Sequence, residues 1–200
     1  MNKPVIALDI DDVLVDTATH LLGSYNKTYG TKLTRSDYYS KDPVVHGVEH
    51  FNEAAKRFEK YMRTEAYSKA EPIPEAVQAI KYLSRYYDFI GVTSRPEYVA
   101  EATGKWLEKH FGVLKAVFTS FIMGATTHQG TVLSKTEVCQ DIGATYMIED
   151  HLHHALPVSA SGVTVLLFDQ LWNQKDDLPD NVIRVQNWQE IREYLDNERR

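Results

Sequence analysis

The sequence predicts an α/β protein: a parallel sheet covered by helices on both faces, with a helical segment inserted after the first strand. Two patterns carry that expectation. Short continuous apolar runs alternate with amphipathic stretches, the arrangement of strands buried under helices on both sides. One interval, between the first run and Phe89, is far too long for a single crossover and holds no strand-like run. A chain of 200 residues, 43% hydrophobic and 25% charged, has the size and composition of one compact unit with a real core.

The first strand is read at Val5–Leu8 and the first helix at Thr17–Tyr29. A second helix, about Val48 to Arg63, carries Val48, Phe51, Ala55, Phe58 and Met62 at three- and four-residue spacing as one apolar stripe. A third, Pro74 to Tyr86, crosses to the strand Phe89–Val92, and Pro74 and Pro96 suit first-turn positions, where the missing N–H costs nothing. Further strands are read at Ala116–Ser120, Tyr146–Ile148 and Val163–Phe168, with an edge strand at Val182–Val185. Ser134 caps a helix over Lys135–Ile142, with Glu137 three residues on and Gly143 as its stop. The two surplus helices read as a cap spanning residues 17–72 over a core of residues 1–16 plus 73–200. Its hinges are expected at the stiff segments Tyr39–Pro43 and Glu71–Pro74.

Composition narrows the function. Twenty-two basic against 28 acidic residues give a formal charge of −6, against a protein that coats a nucleic acid polymer, though a local site for one nucleotide can oppose the global sign. The single cysteine, Cys139, forbids an internal disulfide and fits a reducing compartment. No apolar run approaches the roughly 18 residues of a membrane span, and a carboxylate arrives too early for a signal peptide. The expectation is a soluble cytoplasmic protein with no membrane partner, in which Asn26-Lys27-Thr28 is a chance sequon; a homodimer is admitted but not specified.

The chemistry gathers at strand ends. The first strand finishes in Asp9-Ile10-Asp11-Asp12, and the strand Tyr146–Ile148 finishes in Glu149-Asp150. Taken alone, such acids fit a turn and a helix cap. Brought side by side at the carboxyl ends of a parallel sheet, where ligands bind, they would repel one another without a cation, and an all-oxygen set suits Mg²⁺. The strand at Phe89 ends in Thr93-Ser94-Arg95-Pro96, with hydroxyls and N–H groups for an anion. Lys135 opens a helix, where a cation opposes the macrodipole; it is either a solvated lysine or one drawn to the acidic strand ends.

Asp9-x-Asp11-x-Val13-Leu14, Thr93, Lys135 and Glu149-Asp150, in that order, resemble the four motifs of the haloacid dehalogenase-like (HAD) phosphohydrolases. Within them the chain is similar to the cytosolic 5′(3′)-deoxyribonucleotidase and 5′-nucleotidase group. That narrower likeness lies in Asp9–Asp16, Tyr25–Gly30, Thr93–Pro96, Ile148–Asp150 and Phe168-Asp169 with Trp172-Asn173. The resemblance implies a Rossmann-like core with strand order 3-2-1-4-5. It implies Asp9 as nucleophile, Asp11 as general acid and base, and Mg²⁺ on Asp9, the Asp11 carbonyl and Asp150. Thr93 would bind a phosphoryl oxygen, assisted by Ser94, and Lys135 would balance charge in the transition state. Family members often carry Gly in place of Asp12, and many carry Asp-Asp in place of Glu149-Asp150, so Glu149 competes with Asp150 for the metal.

Other features weigh less. His151, His153 and His154 invite a zinc reading, but no ligand set completes it, and solvated loop histidines are the expectation. Cys139 reads as a packed helix residue. There is no Walker A sequence and no Gly-x-Gly-x-x-Gly. In the cap, Phe51 and Phe58 read as core, and Tyr38 and Tyr39 as candidates to stack on a base. Arg95 either meets substrate or pairs with an acid on a neighbouring helix. The expected activity is a Mg²⁺-dependent phosphomonoesterase for a small metabolite, foremost a nucleoside 5′-monophosphate. A phosphatase for sugar phosphates or other small esters, or a silent binding module, stands as the alternative.

Overall fold

The structure is a computed structural model that describes residues 3–111, 121–123 and 133–199. Its centre is a six-stranded parallel sheet in the order β3-β2-β1-β4-β5-β6. The strands are β1 Val5–Leu8, β2 Asp88–Thr93, β3 Phe121–Met123, β4 Ala144–Glu149, β5 Thr164–Phe168 and β6 Val182–Val185. The core order is the expected one, with β6 added at the edge. The strand expected at Ala116–Ser120 lies outside the described residues; β3 directly follows that stretch. β2 and β4 run one residue further than the apolar pattern suggested, because Thr93 pairs with Met123 of β3 and Glu149 with Leu167 of β5. Those functional positions are therefore the last rungs of the ladder rather than loop.

Strand alternation divides the core between the two faces of the sheet. Ile6, Leu8, Phe89, Ile148 and Leu166 pack against α4 Pro74–Leu83, α5 Ala100–Phe111 and α8 Trp188–Glu198 through Ile80, Leu83, Trp106, Ile191 and Leu195. On the other face Ala7, Val92, Met147, Val165 and Leu167 meet α6 Lys135–Asp141 and α7 Leu152–Ala160 through Val138, Cys139, Ala155 and Val158. Cys139 is fully buried there, as its neighbours predicted. Pro96 corrects its expected place. It stands just before a 3₁₀ turn at Glu97–Val99 that leads into α5, not in the first turn of an α-helix.

Residues 17–72 hold α1 Thr17–Tyr29, α2 Phe51–Met62 and α3 Glu65–Ser68, with their own cluster of Leu21, Leu22, Tyr25, Leu33, Tyr61 and Tyr67. Asp16 caps α1 by accepting from Thr19 N, and Gly30 at φ +69° ends it. α2 begins at Phe51 rather than Val48, and its inward face differs from the predicted stripe: Ala54 and Tyr61 are buried, Phe51, Phe58 and Met62 are half-buried, and Ala55 is exposed. The bulky rings straddle the contact line, and small Ala54 lets the helix approach. The chain entering and leaving this segment is paired, with a bridge from Val15 to Pro72 and Ile73 N donating to Leu14 O. No helix among the described residues is long and apolar enough to cross a membrane.

Candidate active site

The sheet reverses its direction of growth between β1 and β4, and the carboxyl ends of those strands carry Asp9 and Glu149-Asp150. Asp9 N donates to Ile148 O at 3.0 Å, which locks the two ends in register. Oxygens of Asp9, Glu149 and Asp150 lie within 4.8 Å of one another, all three residues buried. Lys135, only 7% exposed, sends its Nζ between them, 2.9 Å from Asp9 Oδ1 and 2.8 Å from Glu149 Oε2. The Ser134–Glu137 capping box starts α6 at this lysine. Two carboxylates thus outweigh the adverse helix dipole, and the solvated-surface reading of Lys135 falls away.

One ammonium does not neutralise the group. Burial, opposed by Lys135 but reinforced by Glu149 and Asp11, pushes Asp9 up to about 7. Burial also raises Asp150 well above the carboxylate range, with Glu149 and Asp9 adding repulsion. Burial would raise Glu149 too, but Lys135 holds it low. Both Glu149 oxygens are engaged, Oε2 by Lys135 and Oε1 by the N–H groups of Asp150 and His151 at 3.1 Å.

Asp11 faces the same cleft. Arg95 grips it bidentately, Nε to Oδ2 at 2.9 Å and NH2 to Oδ1 at 2.7 Å, and Thr17 Oγ1 donates to Oδ1 at 2.5 Å. Burial alone would raise this carboxyl; the guanidinium and the hydroxyl hold it below the usual range. Arg95 is itself buried, hydrogen-bonded to Thr103 Oγ1 at 3.1 Å and stacked on Tyr67 at 5.0 Å. Its acid partner therefore comes from the loop after β1 and not from a neighbouring helix. Thr93 is buried at the end of β2, its Oγ1 accepting from Arg95 N, and lines an adjoining depression with Ser94 and Lys135.

Asp9, Asp11, Ser94, Arg95, Lys135 and Asp150 share one cleft of about 350 Å³ with Tyr38 and Tyr39. The tyrosines form an aromatic wall with Trp172, at ring separations of 5.4 Å for Tyr38 and 5.3 Å for Tyr39. Tyr39 is 47% exposed, with its ring 4.8 Å from that of His151.

A family model described as 5′ nucleotidase, deoxy (pyrimidine), cytosolic type C protein (NT5C) matches residues 3–199. The chain belongs to this family. A nucleotidase of Clostridium acetobutylicum is 28% identical over 198 residues, 98% of this chain and 95% of that protein. Among solved structures, a haloacid dehalogenase-like hydrolase of Streptococcus pneumoniae matches with a TM-score of 0.68 at 15% identity, covering 96% of this chain and 98% of its own. The HAD-hydrolase YfnB of Bacillus subtilis, in a structure bound to magnesium, matches with a TM-score of 0.63 at 17% identity over 98% and 99% of the chains. Family membership makes the protein a phosphomonoester hydrolase on a HAD fold.

The surroundings of several residues of this family member are not legible in the sequence, and Arg35 carries no signal there at all. Asp12 has φ +54°, a left-handed backbone that favours glycine; its Oδ1 accepts from Ala18 N at 3.1 Å, so it faces the start of α1. The histidines are not simply solvated: His151 and His154 are half-buried, all three line the cleft, and burial lowers His154 to about 4. Arg35 reaches Asp16 Oδ1 at 2.5 Å and Gln170 Oε1 at 2.9 Å and stacks on Trp172 at 5.2 Å. The Trp172 indole N–H donates to Asp150 Oδ2 at 2.9 Å. The Asp-Asp pair and Trp-Asn were visible as residue types, but nothing local told what they touch.

Proposed function

We propose that this hydrolase removes phosphate from a nucleoside or deoxynucleoside 5′-monophosphate, with Mg²⁺ at the acidic strand ends and a phosphorylated Asp9 as intermediate. The observation that carries the reading is the juxtaposition in one cleft of the buried Asp9–Glu149–Asp150–Lys135 cluster with Tyr38 and Tyr39, whose rings pack on Trp172. Residues 17–72 act as the cap that brings the two tyrosines over the sheet. The bridge between Val15 and Pro72 serves as its base.

The donor set fits a hard divalent cation, being all oxygen, buried and more negative than its one lysine offsets. Asp9, the Asp11 main-chain carbonyl and Asp150 would hold it, since Glu149 is already spent on Lys135 and the loop. Bound there, Mg²⁺ would offset the carboxylate charge that otherwise repels a phosphate.

Asp9 attacks phosphorus in line with the ester oxygen; its new P–O bond forms as the ester P–O bond breaks. Asp11, ionised while Arg95 grips it, turns off the guanidinium, takes a proton from solvent and gives it to the departing alkoxide, then takes one from the water that attacks the aspartyl phosphate and frees Asp9. Thr93 and Ser94 hydrogen-bond phosphoryl oxygens, and Lys135 holds Asp9 oriented while balancing charge as it builds. Arg95, once released, is free to meet the substrate, whose base lies against Tyr38 and Tyr39. The substrate is a small molecule, and the cytosolic character of the family supports a cytoplasmic site of action.

Phosphate release from a panel of nucleoside monophosphates, sugar phosphates and simple alkyl phosphates tests the reading. A preference of at least tenfold in kcat/KM for nucleotides, lost in Tyr39→Ala and abolished by EDTA, is expected. Equal turnover of sugar phosphates and nucleotides would remove the nucleotide assignment, and Zn²⁺ but not Mg²⁺ restoring activity would remove the metal assignment.

A further inference from the structure

Beyond the strand-end carboxylates, the loop after β5 makes a set of contacts that the reaction above leaves unused. Trp172 directs its indole N–H at Asp150 twice, at 2.9 Å to Oδ2 and 3.2 Å to the main-chain oxygen. Its neighbour Asn173, fully buried, donates to the same main-chain oxygen at 2.7 Å and to Phe168 O at 2.6 Å. Arg184 anchors Asn173 in turn, NH1 to Oδ1 at 2.7 Å. The indole is also flanked by Arg35 over its ring and by the rings of Tyr38 and Tyr39.

From this geometry we infer that Trp172 is a positioning residue for Asp150: its N–H fixes the rotation of the carboxylate so that the oxygens are presented to the cation. The inference rests on the reading of Asp150 as a metal ligand. A carboxylate on a strand end turns about two bonds, and a ligand that must be turned into place loses affinity. Donors that pre-set a metal ligand commonly account for 10–100-fold in metal affinity or activity. Asn173 and Arg184 fix the main chain beneath, so the indole has one remaining freedom to remove. The same indole packs against Tyr38 and Tyr39, which line the cleft.

The test is Trp172→Phe, which keeps one aromatic ring for Arg35, Tyr38 and Tyr39 and deletes the N–H donor together with the five-membered ring. Binding of Mn²⁺ to the substrate-free protein is followed by calorimetry. The dissociation constant is expected to rise about tenfold, with circular dichroism unchanged. kcat at low Mg²⁺ falls and recovers at saturating Mg²⁺. Trp172→His, which offers a ring N–H, should recover part of the Mn²⁺ affinity. Should Trp172→Phe not fold, the wild type supplies the second reading. Its tryptophan emission should change saturably with Mn²⁺ at the calorimetric midpoint, and a flat emission would count against the contact. Mn²⁺ affinity in folded Trp172→Phe within twofold of wild type would overturn the inference and leave the metal assignment standing. No Mn²⁺ binding by the wild type would overturn both.

Discussion

At the scale of single residues, Asp12 and Lys135 show opposite uses of buried charge. Lys135 is a cation made necessary by its neighbours: two carboxylates within 3 Å hold it, and all three would be costly alone. Among the described residues Asp12 has no such partner for Oδ2, and Arg35 comes only to 3.6 Å of Oδ1. Burial pushes this carboxyl up to about 8. Between the ordinary carboxylate value near 4 and about 8, the folded chain holds more protons at this site than the unfolded chain, so its stability falls as pH rises through that window. Asp12→Asn keeps an acceptor for Ala18 N, tolerates the left-handed backbone and removes the titration. Its melting temperature should match wild type near pH 4 and exceed it by roughly 5 °C at pH 8–9, read by thermal melts across pH; parallel curves would place the pH dependence elsewhere.

Among the elements, α6 matters most because it delivers Lys135. Ser134 accepts from Glu137 N at 3.2 Å, and Glu137 Oε2 accepts from Ser134 N at 2.6 Å, so the helix starts where the lysine must stand. Ser134→Ala should cost about 1 kcal/mol of stability and lower kcat more than KM, checked by denaturation and steady-state rates. This box was legible because all its parts lie within four residues. So were β1, which has the bounds of its apolar run, and α1, which follows an Asp cap. The face of α2 was not, since Ala54 and Ala55 are alike in sequence and only the packing of Tyr25 and Phe58, rings 5.0 Å apart, chooses between them. Arg35 and Gln170 meet across 135 residues and Arg95 and Asp11 across 84, contacts that no local pattern records. The strand-end acids and Lys135 could be read because parallel topology collects strand ends in one place whatever the intervening sequence does.

For the molecule as a whole, the excess of acid is placed where an anionic substrate must arrive. The metal-free protein bears that repulsion as lost stability. With Asp9 pushed up to about 7, the folded state again holds the extra proton, so stability declines as pH rises from about 4 to about 7. A cation that binds the ionised cluster in the folded state alone reverses this. Mg²⁺ should therefore raise the melting temperature by several degrees at pH 8 and by much less at pH 5. A gain independent of pH would mean that the ion binds away from Asp9. The aromatic cluster is a whole-molecule product too, because Tyr38 and Tyr39 come from the chain between β1 and β2 and Trp172 from the loop after β5.

The most direct test of the central claim is a search for phosphate on Asp9 itself. Wild-type protein is mixed with a nucleoside 5′-monophosphate and Mg²⁺, quenched in acid within one turnover, digested and read by mass spectrometry. The account predicts a phosphorylated peptide spanning Asp9, labile to hydroxylamine and absent in Asp9→Asn and in EDTA. Sustained phosphate release with Asp9 never labelled, or undiminished turnover by Asp9→Asn, would contradict it.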